Sequence, residues 1–112
     1  MQYDRTQLLK GLLEGMILLI LRREPLYGYA IREELEKSGL KDAKEGAVYP
    51  VLLRLERKGL ARGAFRASPT GPSRKYYEVT PAGQGYLAEF ESAWREVGET
   101  VAHLMQREEE TP

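Results

Sequence analysis

The chain has 112 residues, 42% of them hydrophobic, no cysteine, and 17 basic against 17 acidic side chains. The length suits one domain with an appended helix, and the apolar content is enough for a small core, which argues against disorder. The missing cysteines exclude disulfides, thiolate metal sites and cysteine nucleophiles. One histidine (His103) and two aspartates (Asp4 and Asp42) leave no nucleophile–base pair or metal-ligand set, so neither an enzyme nor a cofactor is expected.

No secretory pattern opens the sequence, and its longest apolar run, Met16 to Leu21, falls far short of the roughly 20 residues of a membrane span. The expectation is a soluble, cytoplasmic protein. Zero net charge argues mildly against a nucleic-acid partner, but the charge is segregated. From Arg54 to Lys75 there are seven basic residues and one acidic; from Glu89 onward there are seven acidic and two basic. Phosphate neutralisation depends on charge at the contact surface, so the segregation outweighs the sum.

Thr6 to Arg23 reads as a first helix. Its wide apolar face runs from Leu8 and Leu9 to Leu19 and Ile20, which suggests burial on two sides, or simply a core helix. Pro25 closes it. A second helix follows Leu26-Tyr27-Gly28-Tyr29 and ends at Ser38-Gly39, with Tyr27, Ala30, Ile31 and Leu35 inward.

Asp42 with Glu45 makes a capping-box pattern for a third helix. Val48, Val51, Leu52 and Leu55 fall at i, i+3, i+4 and i+7, one apolar stripe, with Tyr49, Arg54, Arg57 and Lys58 off it. Gly59 can end the helix in the left-handed conformation. Pro50 lacks an N–H. Either it bends a helix already formed at Gly46, letting the N-terminus approach a phosphate backbone, or the helix starts nearer Ala47 and Pro50 sits in its first turn.

Leu60 to Arg66 and Lys75 to Val79 read as two strands around a seven-residue turn-rich loop, Ala67 to Ser73. Parity with Val79 makes Tyr77 the buried one of Tyr76 and Tyr77. Three helices and a hairpin give a winged helix-turn-helix, mainly α, with the third helix as reader. Thr80-Pro81 starts a last helix of roughly 40 Å, at about 1.5 Å per residue. Leu87, Phe90, Trp94, Val97, Val101 and Leu104 repeat at alternating spacings of 3 and 4, a heptad seam that calls for a second copy of the chain. The division expected is residues 1–80 for the winged domain and 81–112 for a dimerisation helix with an acidic tail.

The order of elements resembles the PadR family of bacterial transcriptional regulators. So do Leu26-Tyr27-Gly28-Tyr29, Gly46-Ala47-Val48-Tyr49-Pro50 with Leu52 and Arg54-Leu55-Glu56, Gly59-Leu60, and Arg74-Lys75-Tyr76-Tyr77 with Thr80, Ala82 and Gly83. The similarity covers roughly residues 8 to 105 and looks like the subgroup with a single C-terminal helix. It implies a homodimeric repressor that binds an inverted-repeat operator in double-stranded DNA and responds to a small aromatic or hydrophobic effector. One departure is Ala47, where the family commonly carries a hydroxyl suited to a phosphate oxygen.

The expected DNA contacts are Lys41, Lys44, Gly46, Ala47, Tyr49, Pro50 and Arg54 around the third helix, and Arg66, Ser73, Arg74 and Lys75 at the wing. Tyr49 could instead pack under the wing, and Arg54 could pair with Glu56 or Glu36. Trp94 is the only tryptophan and lies on the seam. With its symmetry mate it could hold a flat aromatic ligand, with Phe90, Val97, Leu13 and Ile17 nearby, or serve only as an interface anchor. The competing function is a winged-helix protein-interaction module without specific DNA binding, which the zero net charge and Ala47 favour.

Overall fold

The computed structural model describes residues 1–41, 43 and 45–110. In chain order the elements are α1 (Thr6–Leu21), β1 (Leu26–Tyr27), α2 (Gly28–Lys37), α3 (Glu45–Arg57), β2 (Ala61–Ser68), β3 (Gly71–Val79) and α4 (Pro81–Glu110). The three strands form one antiparallel sheet in the order β1-β3-β2. This is the expected winged helix-turn-helix with a long final helix. Asp42, the expected N-cap of α3, lies outside the described residues.

Two glycines set the helix ends. Gly39 (φ 117°) and Gly59 (φ 74°) are the positive-φ residues among those described. Beyond Gly59 the Leu60 N–H reaches back to the Leu55 carbonyl at 2.9 Å, and the Gly59 N–H donates to Glu56 at 3.0 Å. This paired closure stops α3 and turns the chain directly into β2. The end of α2 repeats it, with Leu40 N–H on Leu35 O at 3.0 Å.

The core sits where α1, α2, α3 and the sheet meet. Ile17, Leu18, Ile31, Leu52 and Leu55 are fully buried there, each stabilising the fold by about 1.5–3 kcal/mol through water removal. The α3 stripe is the one read from the sequence: Val48, Val51, Leu52 and Leu55 all face inward. Tyr77 is 1% exposed, as strand parity predicts.

Two expectations are corrected and one open choice is settled. Tyr27 belongs to β1 rather than α2: it pairs with Tyr76 and meets its ring edge-on at 5.4 Å between centroids. The seven-residue loop shrinks to the two residues Pro69 and Thr70, because the ladder continues outward through solvent to Ser68 opposite Gly71, with an irregularity between Arg66 and Ser68. Polar turn-forming composition marked these residues as loop, yet an exposed hairpin needs no apolar face to keep its backbone paired. Finally, α3 is already helical at Glu45, so Pro50 lies inside it and leaves the Gly46 carbonyl without its helical donor.

The start of α4 is part of the core. Leu87 is 1% exposed, and Phe90 lays its ring over Gly15 of α1, where any added Cβ would overlap the ring. Beyond Phe90 the helix leaves the domain, and Trp94 to Met105 stand in solvent.

Candidate nucleic-acid interface

Helical periodicity of about 100° per residue places the side chains of α3 around its axis. With the buried stripe centred near Val48, Leu52 and Leu55, the opposite side carries Gly46, Pro50 and Arg57. Tyr49 and Glu56 flank it toward the wing, and Arg54 and Lys58 flank it toward α1. The contacts agree with this division. Glu56 accepts from Lys75 of the wing at 2.8 Å. Arg54 donates from Nε to Glu14 Oε2 of α1 at 2.8 Å, and Lys58 reaches the same oxygen at 3.1 Å.

Arg54 is therefore not on a face with Tyr49. The two are about 140° apart, and Arg54 points at α1. Its partner is Glu14, neither of the two glutamates expected. Glu14 also accepts from the Tyr86 hydroxyl of α4 at 3.0 Å. Partial burial pushes its carboxyl up, but the three donors Arg54, Lys58 and Tyr86 outweigh that and hold it below the usual carboxylate range. Tyr86 is raised in turn, chiefly by donating to Glu14.

The wing separates its cations by strand parity. Lys75 shares a face with Tyr77 and turns under the sheet to Glu56, which raises its pKa through that hydrogen bond. Gly63, opposite Tyr77, leaves room for this: a Cβ there would collide with Lys75 and stand 3.0 Å from Glu56 Oε2. Arg74 lies on the other face, directly opposite Arg66. Two like charges across a ladder repel, but here each guanidinium rests on a tyrosine ring. Arg66 sits 4.9 Å from the Tyr76 centroid, and Arg74 4.4 Å from that of Tyr27. Since Tyr27 and Tyr76 touch, the four side chains form one row, and the rings fix both arginines in place. Arg62 on the same face is held by Glu78. Ser73 is exposed near the wing tip.

Of the seven cations from Arg54 to Lys75, four are ion-paired inside the chain by three carboxylates: Arg54 and Lys58 share Glu14, Arg62 pairs with Glu78 and Lys75 with Glu56. Arg57, Arg66 and Arg74 make no ion pair among the described residues and are exposed. Sequence reasoning did not single out Arg57 as a candidate contact. The signal was there, because it stands about 180° from the buried stripe.

Tyr49 is 55% exposed and borders a cleft of about 320 Å³ with Gly28, Tyr29 and Val48, where the start of α2 approaches α3. Gly46, Ala47 and Pro50 line a second, more apolar groove of about 540 Å³ between α3 and the first turns of α1, bordered by Leu9 and Leu13. Lys41 is exposed before α3. Lys44 lies outside the described residues.

The seam residues divide. Leu87 has no surface left for a partner, and Phe90 is committed to α1. Trp94, Val97, Val101 and Leu104 are exposed. Ile17 is fully buried in the core and cannot line a ligand site on α4, while Leu13 borders the α1–α3 groove. Among the described residues no group of side chains could hold a metal, and no helix is long and apolar enough to cross a membrane.

Comparison with known proteins agrees with this architecture. The chain is 32% identical over 104 residues to an uncharacterised protein of Lysinibacillus sphaericus, covering 91% of this chain and 95% of that one. The fold superposes on a PadR-like transcriptional regulator from Bacillus cereus with a TM-score of 0.82 and 44% identity, over 90% of this chain and 98% of the other. A Streptococcus transcriptional regulator gives 0.81 at 35% identity, over 89% and 98% of the two chains. Residues 17–89, which hold α2, α3, the wing and the start of α4, match the family described as the transcriptional regulator PadR-like family. The chain belongs to the PadR-like family of transcriptional regulators.

Proposed function

We propose that the protein acts as a homodimeric repressor that places two copies of α3 in adjacent major grooves of an inverted-repeat operator. Tyr49 and Arg57 would meet the groove, with Gly46 and Pro50 near the backbone, Lys41 on a flanking phosphate, and Arg66 and Arg74 on the backbone beside the wing. The carrying observation is the set Arg57, Arg66 and Arg74, exposed cations with no carboxylate partner among the described residues, the first on the outward face of α3 and the other two on the wing beside it. Repression is steric in this reading: the dimer occupies the operator. Half-sites would lie about one helical turn, roughly 34 Å, apart.

The dimer is supported by the exposed apolar row Trp94, Val97, Val101 and Leu104, which runs along a helix that has left its own core. A second copy of α4 has the matching pattern. Trp94 facing Trp94 of that copy, with Val97 beside it, makes a slot for a flat aromatic effector, which would shift the spacing of the two readers. Fluorescence of Trp94, the only tryptophan, reads this directly.

The test is a binding titration on the protein's own promoter fragment and on a mixed-sequence duplex, at about 50 and 200 mM salt. Each neutralised phosphate contributes about 0.9 to the slope of log affinity against log salt. Replacing Arg57, Arg66 and Arg74 by Gln should flatten that slope by about 2.7, or roughly 40-fold over this range. An unchanged slope refutes the assignment. A wild-type protein with no affinity for either duplex would favour the protein-interaction module, for which the four internally paired cations are the specific support.

A further inference from the structure

Glu14 is the one carboxylate among the described residues that joins three helices, and the fold gives it no task in the core. It lies on α1 between Leu13 and Gly15, with its side chain 14% exposed. It takes Arg54 from α3, Lys58 just past the end of that helix and Tyr86 from α4, and the Lys58 ammonium stands 5.8 Å from the Tyr86 ring centroid. The bonds span 40, 44 and 72 positions of sequence. Arg54 and Lys58 are themselves about half-exposed, so their stems reach the surface while their charged ends turn back.

We infer that Glu14 is a specificity-determining positioning residue: it withholds Arg54 and Lys58 from the phosphate backbone and so limits sequence-independent DNA binding. The inference rests on the DNA-binding reading above. A reader helix with every cation free would bind any duplex, since phosphate contacts carry affinity without sequence information. With two cations held at its α1 flank, α3 contacts DNA through its outward face alone, where Tyr49 and Arg57 stand. The Tyr86 hydroxyl fixes the second carboxylate oxygen, so Glu14 cannot swing out with the cations it holds. Carboxylate pairs with Arg and Lys at 2.8–3.1 Å also set the roll of α3 against α1.

The experiment measures the salt dependence of binding to a mixed-sequence duplex of about 30 base pairs for wild type, Glu14→Gln, Glu14→Gln with Arg54→Gln and Lys58→Gln, and the charge-matched control Glu89→Gln on exposed α4 surface. Freeing one or two cations should steepen the Glu14→Gln slope by about 0.9 to 1.8, and so raise affinity about 3.5- to 12-fold at about 50 mM relative to 200 mM salt. The triple variant should return to the wild-type slope, and Glu89→Gln should not leave it. A merely structural Glu14 would lower the melting temperature without moving the slope, and that result overturns the inference. Arg54→Gln with Lys58→Gln in the presence of Glu14 is the second arm and does not depend on how Glu14→Gln folds. A slope unchanged from wild type supports withholding, whereas one shallower by about 1 to 2 means the two cations already touch DNA and overturns it. Absence of any wild-type binding removes the DNA reading itself, and the inference with it; a flat response in a protein that binds removes the inference alone.

Discussion

Gly83 and Gly85 stand two residues apart at the start of α4, and the same substitution should act on them with opposite sign. At Gly83 an added Cβ falls well inside contact distance of the Leu60 carbonyl oxygen and 2.9 Å from Val79 Cγ1. The carbonyl cannot retreat easily. It accepts the Thr80 N–H at 3.1 Å, while Thr80 Oγ1 donates to Gly59 O and accepts from the Gly83 N–H at 3.0 Å. The methyl group of Gly83→Ala must push α4 off the base of the wing. Overpacking of this kind costs about 1–3 kcal/mol, and each cap bond that opens costs about 1 kcal/mol more. The better helix propensity of alanine returns about 1 kcal/mol. The net loss is about 2–3 kcal/mol. At about 2.1 cal/mol/K per residue of unfolding entropy, that is a fall of about 9–13 °C in melting temperature for a chain of this length. Gly85 is exposed with nothing within 4 Å, so Gly85→Ala should gain about 0.5–1 kcal/mol, a rise of about 2–4 °C. Calorimetry of both variants at one protein concentration decides the matter. Equal shifts at the two positions, or a Gly83→Ala protein as stable as wild type, would refute the packing argument.

Tyr77→Phe should be neutral or stabilising by urea denaturation. The hydroxyl is buried without a hydrogen-bond partner among the described residues, while the nearby Lys75 ammonium donates to Glu56, and burial is the main cause of its raised pKa. The stability difference between wild type and Glu14→Gln should be constant through neutral pH and close as the pH falls below 4.5. A carboxylate with a depressed pKa stabilises above its unfolded value of 4.5 and loses that contribution on protonation; melting curves across the acid range that stay parallel would count against the three-donor assignment. Val101→Glu puts a charge in the exposed α4 row, so sedimentation equilibrium should show the dimer weakened at least tenfold, the equivalent of about 1.4 kcal/mol. A dimer of unchanged strength would place the interface elsewhere.

What the sequence showed clearly was whatever depends on local periodicity. The α3 stripe, the left-handed Gly59, the burial of Tyr77 and the length of α4 all follow from spacings of 2, 3 and 4 residues, and the structure has each of them. What it hid was ownership of surfaces. Leu87 and Phe90 carry the same heptad signature as Trp94, Val97 and Val101, because an apolar stripe records that a face is covered without recording by what. Only the position of α1, with Gly15 shaped to take the Phe90 ring, assigns the first two to the chain's own core. The cations behave alike. Arg54, Arg57 and Lys58 are indistinguishable in composition, yet a rotation of about 60–100° around the α3 axis separates those that meet Glu14 from the one that faces outward. That rotation is fixed by how helices distant in sequence pack, so a count of basic residues overstates the charge available to DNA. In this chain four of the seven cations between Arg54 and Lys75 are ion-paired, which leaves three without a carboxylate partner among the described residues and makes the placement of each carboxylate the decisive variable.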